Sequence, residues 1–230
     1  MPRAPEVQAM FTRIAARYDI MNALMTAGRH HAWREATARA TLESPPGPIL
    51  DLATGTADLA IAVRALDARR RVVGADFSTG MLTLARAKLG GERGAGIALV
   101  AADALGLPFP DRTFAAVTSA FLLRNLEDLE HGLVEMRRVT IPGGRVVTLD
   151  ITRLTVPGWS AAFHLYFHRV VPMVGALVAG DRAAYTYLPD SVDRFLTPRE
   201  LATLMEKIGL AHVRSRCFAL GTVALHVGVA

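Results

Sequence analysis

The chain has 230 residues, 51% of them hydrophobic and 20% charged, with a net charge of +5, a pI near 10.0 and a mean hydropathy of +0.28. That length suits one α/β domain with a large core, and no apolar run reaches the roughly 20 residues that span a bilayer. The arginines are scattered and form neither a basic stripe nor an aromatic-interleaved platform, which sets nucleic acid aside and keeps weak attraction to an anionic membrane surface.

The opening MPRAPEVQAMFTR has no apolar core of the kind a secretory signal needs. Residues 5–42 read as helical, with Gly28 as a break and SPPGP at 44–48 as a stop. An alternation follows: strand PILDLA (48–53), helix 57–66, strand RVVGAD (71–76), and helix 79–89 with Met81, Leu82 and Ala85 on one face. Arg69, Arg70 and Arg71 sit beside the loop before the second strand. Strands IALVAAD (97–103) and FAAVTSA (114–120) come next, then a helix over 126–139, and PGG at 142–144 turns the chain into RVVTLDI (145–151). Residues 153–190 carry no strand signal but hold Trp159, Phe163, Tyr166, Phe167, Tyr185 and Tyr187. The greasiest stretch, 170–179, contains Pro172 and Gly175 and reads as a buried or interfacial helix.

The rhythm resumes with a helix at 198–208, then AHVRSRCF (211–218) and TVALHVGV (222–229), joined so tightly that these last strands must be antiparallel. Cys217, the only cysteine, can form no internal disulfide; it is expected as a small apolar strand residue in a reducing cytoplasm. A doubly wound parallel sheet closed by an antiparallel hairpin is the layout of a class I methyltransferase, Rossmann-like and seven-stranded, rather than of a six-stranded nicotinamide domain. The expected organisation is one domain over 1–230: an N-terminal helical cap (1–43), a ligand-binding core (48–152), an aromatic insert (153–190), and a closing helix and hairpin (191–230).

DLATGTAD (51–58) puts a tight turn of small residues between a strand and a helix N-terminus. Ala53, Gly55 and Ala57 leave room for a ligand against the backbone, and Asp51 at the strand end can meet a cation. Two of the three dinucleotide-type glycine positions are alanine, and Asp58 would repel a pyrophosphate but attract a sulfonium or ammonium group. Asp76 ends the second strand, where its two oxygens can accept both hydrogens of a ribose diol. Asp103-Ala104 ends the third, placed for an adenine edge. Any one carboxylate could be a helix cap; three at the ends of adjacent strands suit adenosine plus a cation. His30 and His31 are neighbours that share no helix face, so no metal is expected.

MFTRIAARYDIMNALMTAGRHHAW (10–33) resembles the N-terminal signature of the UbiE/MenG quinone C-methyltransferase family, with Tyr18, Asp19, Met21, Asn22, His30 and Trp33 in place and Thr26 where serine is usual. LGLPFPD (105–111), FLLRN (121–125), RRVTIPGGRVVTLDIT (137–152), GDRAAYTYLPDSV (180–192) and VALHVGV (223–229) continue the likeness in order along nearly the whole chain. Leu122 stands where glycine is usual, Asp150 and Thr152 where glutamate and serine are, and Ala120 where some relatives carry a cofactor-contacting serine; these departures are expected at the substrate mouth.

The resemblance implies methyl transfer from S-adenosyl-L-methionine, leaving S-adenosyl-L-homocysteine, to an unsubstituted ring carbon of a prenylated quinol, with most like partners among demethylmenaquinone methyltransferases. It implies cofactor contacts from Asp51, Gly55, Thr56, Asp76, Phe77, Asp103 and Ala104. It assigns Arg124 to stabilise a phenolate or orient a water, and Asn125 to hold a hydroxyl. His164, His168 and His226 are candidate acceptors for the ring proton, each weighed against a structural role, and the aromatic insert is either a lid for the prenyl tail or ordinary core. A cytoplasmic enzyme touching the inner face of the membrane is implied, and a homodimer is left open. Rival readings are a class I enzyme acting on another small aromatic molecule and a non-catalytic lipid- or partner-binding relative. A nucleic-acid methyltransferase would carry an N/D-P-P-Y-like motif after the fourth strand, where this chain has FLLRN.

Overall fold

The computed structural model describes residues 28–153 and 189–230, together with Ala23, Met25, Thr26 and Arg169. Tyr18, Asp19, Met21 and Asn22, the apolar stretch 170–179, and nearly all of the aromatic insert with His164 and His168 lie outside the described residues. Of the N-terminal helical section, α1 (His30–Leu42) is described; it is entered through Gly28 at φ 75°, a left-handed conformation that costs glycine no Cβ clash.

Then come β1 (Ile49–Leu52), α2 (Asp58–Leu66), β2 (Val72–Asp76), α3 (Thr79–Lys88), β3 (Ile97–Ala101), β4 (Phe114–Ala120) and α4 (Leu129–Arg138). After β5 (Thr140–Ile151) the described chain closes with α5 (Pro198–Lys207), β6 (Ala211–Phe218) and β7 (Val223–Val229). The strands form one seven-stranded sheet in the order β3-β2-β1-β4-β5-β7-β6, in which β7 is antiparallel to both of its neighbours. The expected parallel sheet with an antiparallel hairpin is therefore present. Strand order reverses between β1 and β4, and a crevice opens there at the carboxyl ends of the strands.

Strand alternation sends residues to two cores. Ile49, Ala116, Val147 and Leu225 face α1, α2 and α3, where Trp33, Ala38, Val63 and Ala85 cover them. Leu50, Leu52, Val117 and Val146 face α4 and α5, under Leu133, Met136, Leu201 and Met205. β6 is the outer strand and is largely exposed. Cys217 lies in it as expected, but on the solvent side rather than packed.

Three boundaries move by two residues or more, the first being β3, which stops at Ala101 rather than Asp103. Helix α4 starts at Leu129 because Leu123–Asn125 forms a separate 3-10 turn and Asp128 caps the helix, accepting the His131 N–H at 2.9 Å. The Pro-Gly-Gly segment does not precede β5 but lies inside it as a bulge. The register jumps from Phe114↔Thr140 to Ala116↔Arg145, with Gly143 at φ 75°.

Two of the three adjacent arginines, Arg69 and Arg70, share Asp67 as a partner but differ in burial. Arg69 pairs with Asp67 at the surface, while Arg70 is buried and donates to the carbonyls of Ser44, Pro45 and Gly47 at 2.6–3.1 Å. It thereby fixes the turn that delivers β1. Arg70→Met should strip several carbonyls of a charged donor and cost about 2–3 kcal/mol. That is a fall in Tm of roughly 5–10 °C for a chain of this size; a melt within 2 °C of wild type would mean the turn holds itself.

Candidate active site

Between β1 and α2 the chain reverses within a few residues, and Ala53, Gly55 and Ala57 all adopt left-handed conformations at φ 55°, 56° and 67°. For each alanine this costs roughly 1–2 kcal/mol, and the surrounding hydrogen bonds hold it. The Oδ2 of Asp51 accepts the Thr54 hydroxyl at 2.6 Å and the Ala60 N–H, in the first turn of α2, at 3.1 Å. The Gly55 N–H donates to Asp76 Oδ2 at 2.8 Å, and the Thr54 N–H to the Ala75 carbonyl at 3.0 Å. Both carboxylates thus lash the loop before they meet any ligand. Burial pushes the Asp51 carboxyl up to about 7, against the pull of Thr54 and Ala60; neighbouring Asp76 pushes the same way and Arg34 opposes it. Asp76 is also raised by burial, partly offset by the N–H groups of Ser78 and Gly55.

A cleft opens over this loop at the sheet's carboxyl edge, with about 820 Å³ of empty space that includes open solvent. Of the residues expected to hold the cofactor, Gly55, Asp76, Phe77, Asp103 and Ala104 line it, and so does Asn125. Asp51 and Thr56 stand behind the wall; Thr56 accepts from Lys88 Nζ at 3.3 Å. The Asp76 oxygens accept one backbone N–H each, from Gly55 and Ser78, and a carboxylate offers about four lone-pair sites, so both oxygens keep capacity toward the cavity. Asp103 lies beyond the end of β3, exposed, with Oδ1 accepting the Leu105 N–H at 2.9 Å. An acid for a diol beside an apolar wall of Leu52, Phe77, Met81 and Ala104 fits adenosine.

Asp58 corrects the sequence reading. Its carboxylate pairs with Arg34 of α1 at 2.8 Å and with Lys88 of α3, and it is not on the cavity wall. It clamps α2 between two helices instead of attracting a cationic ligand.

Arg124 follows β4 as expected, yet its guanidinium is buried and does not itself line the cavity. Nη1 donates to Asp150 Oδ1 at 2.7 Å and to the Phe121 carbonyl at 2.8 Å. Asn125 Nδ2 donates to that same carbonyl at 3.0 Å. Phe121 sits at φ 64°, a strained conformation for a bulky residue, and these two donors hold it there. Ala120 and Leu122 line the cavity, as expected of positions that depart from the family pattern. Asp150 and Thr152 do not: one pairs with Arg124, the other donates to the Gly221 carbonyl at 3.2 Å.

Sequence reasoning gave no site role to Phe121, although it opens the FLLRN motif, nor to Glu127, which carries no motif signal; both are on the wall. It also missed the Arg124–Asp150 pair, although a lone aspartate in the apolar run VVTLDI was a legible hint of a buried partner.

An aspartate with a folded pKa above its unfolded one loses the protein stability as pH rises: the unfolded chain ionises near 3.8, the folded one near 7. Between those values Asp51 withdraws stability, on the order of 4 kcal/mol at the plateau. Asp51→Asn cannot ionise, so the melting temperature of the variant relative to wild type should climb from about pH 4 to pH 7. A difference that stays flat over that window would show that Asp51 titrates like an exposed carboxyl.

The model of the ubiE/COQ5 methyltransferase family matches residues 2–230. A demethylmenaquinone methyltransferase of Thermus thermophilus is 43% identical over 95% of this chain and 99% of its own length. One from Deinococcus radiodurans is 44% identical over 96% and 91%. The ubiquinone/menaquinone biosynthesis C-methyltransferase UbiE of Methylobacterium nodulans is 41% identical over 96% and 89%. Among solved structures, a SAM-dependent methyltransferase of Thermotoga maritima superposes with a TM-score of 0.67 at 17% identity, covering 96% of this chain and 98% of that one. The [4+2]-cyclase SpnF superposes at 0.62 with 19% identity, over 84% and 61%. These two likenesses carry the fold alone. The full-length family match and the close relatives carry more: this chain belongs to the ubiE/COQ5 methyltransferase family and is an S-adenosylmethionine-dependent methyltransferase.

Proposed function

We propose that this enzyme methylates an unsubstituted ring carbon of a prenylated quinol, the demethylmenaquinol-to-menaquinol step or its ubiquinone-pathway equivalent. The observation that carries the reading is one continuous cavity with the Asp76 carboxylate and its apolar wall at one end and Asn125 at the other. S-adenosylmethionine supplies an already activated methyl group, held by Asp76, Phe77, Asp103 and Ala104. The chain's own task is then alignment, with donor and acceptor carbons brought to about 3–3.5 Å. Asn125 faces the acceptor and fixes a ring hydroxyl. A phenol has a pKa near ~10 and its ring carbon is a weak nucleophile until that hydroxyl ionises; a fixed cation nearby favours the loss. Arg124 is that cation: it is paired with Asp150 behind the wall, and its guanidinium lies 5.7 Å from the centroid of the Phe121 ring that lines the cavity. The net charge of +5 supports contact with an anionic membrane surface from the cytoplasmic side, where a prenyl tail resides.

Incubation with methyl-labelled cofactor and either the quinol or the oxidised quinone tests this directly. Label should enter the ring carbon of the quinol and not of the quinone, which has no hydroxyl to ionise; equal labelling with reduction prevented would remove the phenolate route.

Arg124→Met on its own leaves buried Asp150 unpaired and should cost about 3–5 kcal/mol. The double variant Arg124→Met/Asp150→Leu removes the orphan and should recover most of that stability. Its kcat should nevertheless stay tenfold or more below wild type at neutral pH, with cofactor affinity little changed. Recovery of rate together with stability would reduce Arg124 to a structural strut.

A further inference from the structure

One face of the sheet carries a polar row among apolar ones. Ser119, Thr148 and His226 stand in register across β4, β5 and β7, while the row two residues away is Val117, Val146 and Gly228, packed toward α4 and α5. Ser119 Oγ, Thr148 Oγ1 and His226 Nδ1 are buried without a hydrogen-bond partner among the described residues, and so is Arg124 Nε nearby. An unpaired buried polar atom costs about 1–3 kcal/mol, so four in one patch need a common cause.

The hydrogen bond at the other side of the imidazole fixes its tautomer. His226 Nε2 lies 2.8 Å from the Pro198 carbonyl. A carbonyl only accepts, so Nε2 carries the hydrogen and Nδ1 is a bare lone pair. The two hydroxyls and Arg124 Nε are donors that complement it. Side chains in register on neighbouring strands are about 5 Å apart, a gap that one bridging water closes. The row starts beside Ala120 and Phe121 on the cavity wall and ends at His226.

We propose that Ser119, Thr148 and His226 form the exit row for the ring proton, with His226 Nδ1 as its final acceptor. This rests on a ring carbon being the methyl acceptor. In the transfer a carbon–carbon bond replaces the donor's sulfur–carbon bond, and the ring carbon then bears both methyl and hydrogen. Its C–H bond breaks, the electron pair returns to the ring, and the proton enters the row. Each hydroxyl takes a proton on one side and gives its own onward, with bridging water between, until Nδ1 accepts. Burial disfavours the imidazolium, and the Pro198 carbonyl and the Asp150 carboxylate, itself paired with Arg124, offset part of that cost. The proton returns to solvent after product leaves. His226 acts through the hydroxyls and is a positioning residue rather than a contact to substrate.

Two measurements test it. In the ligand-free protein, Thr148→Val, with Ser119→Ala as a second variant, should move the ¹⁵N resonance of His226 Nδ1 toward that of an unbonded imidazole nitrogen. In turnover, His226→Gln keeps a donor for the Pro198 carbonyl but loses the base. Its kcat should fall tenfold or more with KM within twofold, and quinol deuterated at the accepting carbon should show a larger isotope effect than in wild type, because proton removal has become slow. An unmoved resonance in both hydroxyl variants, an unchanged kcat, or a slower kcat with no larger isotope effect would each overturn the row. A wild-type product methylated elsewhere than on the ring would instead defeat the functional reading, which separates the two failures.

Discussion

Everything at the carboxyl edge of the sheet depends on two buried carboxylates holding a backbone that would otherwise relax. The turn after β1 takes three left-handed residues, two of them alanine, and its strain is offset by Asp51 and Asp76 accepting hydrogen bonds from Thr54, Gly55 and Ala60. Those groups sit at the β1 and β2 ends, so the loop also locks these adjacent strands to α2. Asp58, pinned between Arg34 and Lys88, extends the lock to α1 and α3. The result is a rigid floor. Such a floor suits a reaction whose acceleration comes from alignment, because a displacement of even 1 Å is costly to it.

A second lock sits on the far wall. Arg124 and Asp150 are both nearly inaccessible, and a buried ion pair is weak evidence for stability because desolvation offsets much of its attraction. Its value lies in geometry. With Asn125 it ties down the Phe121 carbonyl and keeps a strained residue on the cavity wall. A hydrophobic pair could fill the same volume but would leave that carbonyl with one donor fewer.

The sheet was legible in the sequence because its inner strands are short, largely apolar runs separated by turns and helical stretches, and the strands' order along the chain carries the topology. Asp76 was legible as the carboxylate that ends β2, and Asp103 as one just past β3; both line the cavity over the crevice. The failures are tertiary. Asp58 looks ligand-facing only until α1 and α3 bring Arg34 and Lys88 beside it. Arg124 and Asp150 meet because β4 and β5 are neighbours, a pairing that local pattern does not state. Pro142, Gly143 and Gly144 read as a turn by composition, whereas the register shift between β4 and β5 absorbs them as a bulge. Cys217 reads as packed because its type usually is, and is exposed because β6 is the sheet's outer strand.

The same fold, at 17–19% identity, serves a methyltransferase of Thermotoga maritima and the [4+2]-cyclase SpnF. The chemistry must therefore reside in what individual chains mount on the shared sheet. In this chain the half built from β1, β2 and β3 holds acids against an apolar wall, a combination suited to a nucleoside. The half built from β4, β5 and β7 carries the unusual content: Phe121, Leu122, Asn125, the Arg124–Asp150 pair and the polar row below it. A methyl acceptor has to be deprotonated as well as aligned, and a fold meant only to hold a nucleoside has no reason to bury a bare imidazole nitrogen two strands from the switch point. On the proposed proton row, that asymmetry would divide the sheet into a binding half and a proton-handling half.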